Sequence, residues 1–116
     1  MSYQNQNKNP AQKLHNILSI CRKANQISLG FAPMMESLKA GSVCGVLTSS
    51  DISKKTCKEV YFACEKKQIP VCSVNLTMTE IGMITGRKAA VAAILDQGFF
   101  DRIRQLCEED PTAIVP

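Results

Sequence analysis

The stretch Val-Cys-Gly-Val-Leu-Thr at 43–48 is apolar almost without a break. A strand of that composition has no polar face to turn to water, so it belongs in the middle of a sheet that is covered on both faces. The cover is legible on either side of it. From Pro10 to about residue 25, Leu14, Ile17, Leu18, Cys21 and Ala24 recur at helical spacing, with Lys13, Asn16 and Lys23 on the other side. From about 54 to 67 a second helical pattern puts Cys57, Val60, Tyr61 and Cys64 on one face.

The remaining pieces continue the alternation. Gln-Ile-Ser-Leu-Gly at 26–30 reads as a brief edge strand. The stretch that follows, Gly-Phe-Ala-Pro-Met-Met-Glu-Ser-Leu-Lys-Ala-Gly, predicts a short helix over 33–40. Pro33 suits a first helical position, and Gly41 suits a left-handed stop. Ile-Pro-Val-Cys-Ser-Val at 69–74 is a strand that Pro70 confines to an edge or to starting there. Thr77 and Glu80 form a capping box that opens a short helix ending at Gly86. Small residues at 89–95 make another strand, and Asp96 caps a last helix with Phe99, Phe100, Ile103, Leu106 and Cys107 inward. Helix and strand alternate throughout, which places the chain in the α/β class with a sheet between helix layers.

A length of 116 residues fits one domain, expected at 10–108, with polar residues 1–9 and residues 109–116 as flexible tails. Fourteen Lys and Arg against ten Asp and Glu give +4, which permits a nucleic-acid partner without demanding one. The six cysteines form no Cys-x-x-Cys, and His15 is the single histidine, so zinc spacing is absent. No signal-peptide stretch leads the chain, so they read as small core hydrophobes of a reducing, cytoplasmic protein. No apolar run approaches the ~20 residues that a membrane span needs, so no membrane partner is expected. Catalytic equipment is missing as well. His15 has no nucleophile at a supporting spacing, Glu108 and Glu109 sit in a terminal segment, and no glycine-rich phosphate loop occurs. The expectation is a protein that is not an enzyme and carries no cofactor and no metal.

Three features point to anions. Ala32 stands where the helix over 33–40 needs a cap, and alanine is a poor one. An uncapped helix start leaves backbone N–H groups free for a phosphate. Lys54 and Lys55 open their helix, with Lys58 a turn on, although cations there oppose the macrodipole. Arg87 and Lys88 follow Gly86 in a second basic turn. A merely solvated face accounts for the first cluster, and cations serving a helix C-terminus account for the second. If the loops that carry them meet at one end of the sandwich, they make one patch beside the uncapped helix start.

The pieces CRKANQISLG, MESLKAGSVCGVLTSSD, CEKKQIPV and TEIGMITGRKAAVAAILDQGFFDRI occur in an order that resembles the kink-turn RNA-binding ribosomal proteins of the L-seven-Ae superfamily. The likeness runs from about Leu14 to Leu106 and is nearest to the small bacterial YlxQ-like branch. It implies a three-layer α-β-α sandwich around a mixed sheet of about four strands, and RNA binding without catalysis. The superfamily's kink-turn readers carry Gly-x-Asn-Glu at the second helix start, with a Lys one turn on. Here Gly30 matches the glycine, but Ala32, Pro33 and Glu36 stand at the Asn, Glu and Lys positions. What the resemblance leaves is phosphate contact through Gly30, Phe31 and Ala32, with Asp51, Lys54, Lys55, Arg87 and Lys88. The expected partner is structured RNA, ribosomal or other non-coding, with a kink-turn as one candidate, alongside ribosomal or ribonucleoprotein components. The alternative is a protein-interaction module on the same fold that has lost RNA binding.

Overall fold

A computed structural model describes residues 10–109. Of the expected tails, 1–9 and 109–116, all but Glu109 lie outside the described residues, and Glu109 ends α5, the last helix. Five helices alternate with four strands: α1 (Pro10–Lys23), β1 (Ile27–Leu29), α2 (Phe31–Ala40), β2 (Gly45–Thr48), α3 (Lys54–Lys66), β3 (Val71–Ser73), α4 (Met78–Thr85), β4 (Val91–Ile94) and α5 (Gln97–Glu109). The strands lie in the order β1-β4-β2-β3. β4 is antiparallel to both neighbours, pairing Leu29 with Ala92 and Thr48 with Val91, while β2 and β3 run parallel with Val46 opposite Val71.

The two central strands are buried along their whole length, as the apolar run at 43–48 requires. Their residues alternate between two cores. Leu47, Ala92 and Ile94 pack with Leu14 and Leu18 of α1, Ile81 of α4, and Phe100 and Ile103 of α5. Val46, Val91 and Ala93 pack with Met34 and Leu38 of α2 and Val60 and Cys64 of α3. The sandwich is therefore three layers deep, with α1, α4 and α5 on one face and α2 and α3 on the other. Gly45 makes one of these contacts possible: a Cβ on it would lie 2.2 Å from the Phe100 ring, so the ring rests directly on the strand.

The signals that end the elements act as expected in most places. Gly41 closes α2 at φ 74°, β3 starts just after Pro70 at the sheet's edge, and both halves of the Thr77–Glu80 capping box are formed. The Asp96 carboxylate accepts from the Phe99 amide at 2.9 Å. All six cysteines are free; Cys21 and Cys64 are buried and the other four half-buried. Two side chains differ from expectation. Ala24 lies beyond the end of α1 and is exposed. Tyr61 is 47% exposed, because Val60 and Cys64, one turn apart, already fill the narrow face that α3 turns to the sheet. No helix of the described residues is long and apolar enough to cross a membrane.

Candidate nucleic-acid interface

With β4 antiparallel to both β1 and β2, and β3 parallel to β2, the C-terminal ends of β1, β2 and β3 and the N-terminal end of β4 share one end of the sheet. Helices α2, α3 and α4 all start there, and only α5 leaves from the opposite end. Cross-links hold these loops together. The Gly30 amide donates to Val91 O at 2.8 Å, Ser49 N to Ala90 O at 2.9 Å and Ser50 N to Leu76 O at 2.8 Å.

The start of α2 differs from the sequence expectation. The helix begins at Phe31 and its N-cap is Gly30, so Ala32 is inside the helix and Pro33 is its third residue, not its first. Proline is tolerated at this position because any amide in the first turn lacks a partner inside the helix. Gly30 has φ 108° and ψ 160°, a region open in practice only to glycine. It offers no side-chain cap, so the amides of Phe31 and Ala32 face outward without one. Both residues are exposed.

Arg87 and Lys88 stand on a braced turn. Gly86 ends α4 in the left-handed conformation at φ 88°. The Thr85 hydroxyl donates to Ile81 O at 2.7 Å and accepts from the Arg87 amide at 3.3 Å. Arg22 of α1 reaches across to donate Nε–H to Thr85 O at 3.0 Å. The absent side chain of Gly82 lets the Lys88 backbone pass so close that a Cβ there would lie 3.0 Å from the Lys88 Cα. From this turn Arg87 extends over the start of α2, its Nη2 3.8 Å from the position a Gly30 Cβ would take.

Asp51, in the loop after β2, accepts from the Met78 amide at 3.0 Å and so supplies a second cap to α4. Its carboxyl lies below its ordinary value of 3.8; the nearby Ser49 hydroxyl is the largest cause, the Met78 amide the next, and the charge of Lys88 contributes least. The buried Ser49 Oγ makes no bond of hydrogen-bonding geometry, so its influence is that of a close dipole. Two residues on, Ser53 caps α3 by accepting from the Thr56 amide at 3.1 Å. Lys54 and Lys55 follow it, exposed.

The fold thus brings Gly30, Phe31, Ala32, Asp51, Arg87 and Lys88 into one neighbourhood, with Lys54 and Lys55 at the rim where α3 starts. The sequence reading missed Arg22, Thr85 and Gly82, which hold the basic turn. Their only signal is the glycine inside a short helix, since the Arg22–Thr85 bond joins residues far apart in the chain. Among the described residues no group of His, Cys, Asp or Glu is placed to hold a metal ion.

An α/β/α sandwich with a β1-β4-β2-β3 sheet, loops gathered at one end and basic residues on them define the class. The chain belongs to the ribosomal protein L7Ae/L30e/S12e/Gadd45 family, whose model matches residues 12–104. Among solved structures, a Bacillus halodurans protein of unknown function is similar over 84% of this chain and 98% of its own, at 28% identity and a TM-score of 0.77. A Giardia lamblia 15.5kD RNA binding protein shares the fold over 91% of this chain and 88% of its own, at 14% identity and a TM-score of 0.65. No curated protein matches the sequence.

Proposed function

We propose that this chain is a non-catalytic, cytoplasmic RNA-binding protein that holds the phosphate backbone of structured RNA at the end of the sandwich where α2, α3 and α4 begin. One observation carries the reading: Arg87 extends over the uncapped, glycine-started N-terminus of α2. A guanidinium beside free backbone amides suits a phosphate, which accepts from both. Family membership and the RNA-binding Giardia neighbour of the same fold support it. Lys88, Lys54 and Lys55 extend the positive surface on either side. Ala32 and Pro33 have no side-chain groups for bases, so phosphates position the RNA and its shape supplies the specificity.

The test is binding of a structured RNA across a salt series. Replacing Arg87, Lys88, Lys54 or Lys55 singly with Ala should weaken binding to all structured RNAs alike and lower the salt slope by about one. Arg102 of α5, the helix that leaves the opposite end of the sheet, is the control. An equal loss from Arg102→Ala would mean diffuse attraction with no site. Affinity untouched by any of the four changes would favour the protein-interaction alternative.

A further inference from the structure

Between α2 and α3 lies an apolar cleft of about 420 Å³. Leu38, Met35 and Ala63 line its buried part. Two aromatic rings, Phe31 and Phe62, stand in it partly free; Phe62 is 62% exposed. Burying such a ring is favourable, so its exposure leaves a binding contribution unused. The rim carries Lys39, Lys66 and Lys67 against the one acid Glu59. Lys66 Nζ lies 4.4 Å from the centroid of the Phe62 ring, so that face of the ring meets a cation.

We infer that this cleft is a second RNA subsite, which takes an unpaired base; the inference rests on the RNA-binding reading above. Phe31 joins the two sites, since it is the first residue of α2 and also lines the cleft. Phe62 stands about two turns, or ~12 Å, along α3 from Lys54. A nucleotide next to phosphates held at the starts of α2 and α3 is therefore within reach of the cleft. An unpaired nucleotide brings a flat apolar ring and an anionic phosphate together. The cleft answers with aromatic and aliphatic walls and cations confined to its rim, the combination that holds splayed bases. The base stacks on Phe62, and the lysines of the rim meet its phosphate. An acidic amphipathic helix would satisfy the same charges, but it would give no role to Phe31, the residue that the cleft shares with the start of α2.

The test compares a plain RNA hairpin with the same hairpin carrying an unpaired bulge. Phe62→Ala should weaken the bulged RNA about tenfold, as expected for one lost base–aromatic stack, and leave the plain hairpin and the salt slope unchanged. Phe62→Tyr should retain the affinity. A photoreactive 5-bromouridine in the bulge should crosslink to the peptide that carries Phe62. Equal binding of the bulged RNA by wild type and Phe62→Ala, or equal loss on both RNAs, would overturn the subsite. In either case Arg87→Ala on the plain hairpin still judges the first site separately. If an acidic amphipathic peptide occupies the cleft without competing with bulged RNA, the subsite is likewise overturned. Failure of the wild type to bind either RNA would overturn both readings.

Discussion

Gly45→Ala is the sharpest probe of the layer packing that carries the site. The added Cβ would lie 2.2 to 2.4 Å from three carbons of the Phe100 ring, where carbon atoms prefer about 3.5–4.0 Å. One partner must therefore move by more than about 1 Å. Neither is free to do so. Phe100 is wholly buried, and Gly45 is paired with Ile94 in a strand buried throughout. Overpacking of a dense core typically costs about 1–3 kcal/mol, and this overlap belongs at the upper end. Alanine's smaller loss of backbone freedom returns about 0.5–1 kcal/mol, leaving a net loss of about 2 kcal/mol. For a domain of this size that lowers the melting temperature by about 8 °C. Thermal and urea unfolding followed by circular dichroism would read it. A double-mutant cycle with Phe100→Leu adds a second criterion. Both changes concern one contact, so together they should destabilise by about 1–2 kcal/mol less than the sum of the singles. Strict additivity, or a melting point within about 2 °C of wild type, would refute the claim that the ring rests on this glycine.

Four further outcomes follow from the site. Gly30→Ala should lose about 1–3 kcal/mol of stability through backbone strain alone, because a Cβ there meets nothing nearer than Pro33 Cδ at 3.4 Å, with Pro33 Cγ and Arg87 Nη2 at 3.8 Å; chemical denaturation measures it, and no loss would mean that the φ of 108° is not held. Joint Ala32→Asn and Pro33→Glu should raise affinity for a kink-turn RNA over a plain duplex, and selective kink-turn binding by the unaltered protein would show that other residues do the reading. Asp51→Asn should destabilise the fold at neutral pH but not in strong acid. The folded carboxyl lies below 3.8, so its contribution is complete above the unfolded value and fades as pH falls through the folded one; a deficit that does not shrink as pH is lowered past the unfolded value would contradict this. Lys54→Ala should leave stability unchanged or raise it by up to about 1 kcal/mol, because a cation in the first turn opposes the helix dipole; a clear loss in thermal unfolding would assign Lys54 a structural contact.

What the sequence made legible was local. The apolar run at 43–48, the Thr77–Glu80 box, Asp96 and Gly41 each act within a few residues, and each does in the fold what its chemistry suggests. The start of α2 was misplaced because two facts compete. Proline favours the first helical position, yet the whole first turn tolerates it, and the positive φ of Gly30 does not show in its neighbours. Tyr61 and Phe62 are adjacent aromatics in a helix whose inward face needs only Val60 and Cys64. Periodicity assigned Tyr61 inward, and Phe62, exposed beside it, gave no signal that it lines a cleft. The gathering of the loops was beyond any local reading. It follows from β4 entering the sheet between β1 and β2, and the residues that brace the basic turn, Arg22 and Thr85, are brought together only by that topology.

The insertion of β4 also explains why positive charge accumulates where it does. Because β4 enters antiparallel between two strands that run the other way, its own entry, carrying Arg87 and Lys88, lies beside the exits of β1 and β2. Three helices begin at that end, and a helix start is itself positive. Lys54 and Lys55, in the first turn of α3, have no stabilising dipole to meet. The one described acid in the cluster, Asp51, already accepts from the Met78 amide, so its charge is shared with the start of α4. Lys54 and Lys55 form no ion pair with any described residue. For those two lysines the position is mildly unfavourable to the folded chain alone. A solvated face would be free to scatter its charges. Here Lys54 and Lys55 stand at the start of α3, and Arg87, just past the end of α4, lies near amides that Gly30 leaves uncapped. On the RNA-binding proposal, a phosphate backbone lying across the starts of α2 and α3 would neutralise the cations and satisfy the uncapped amides at the same time.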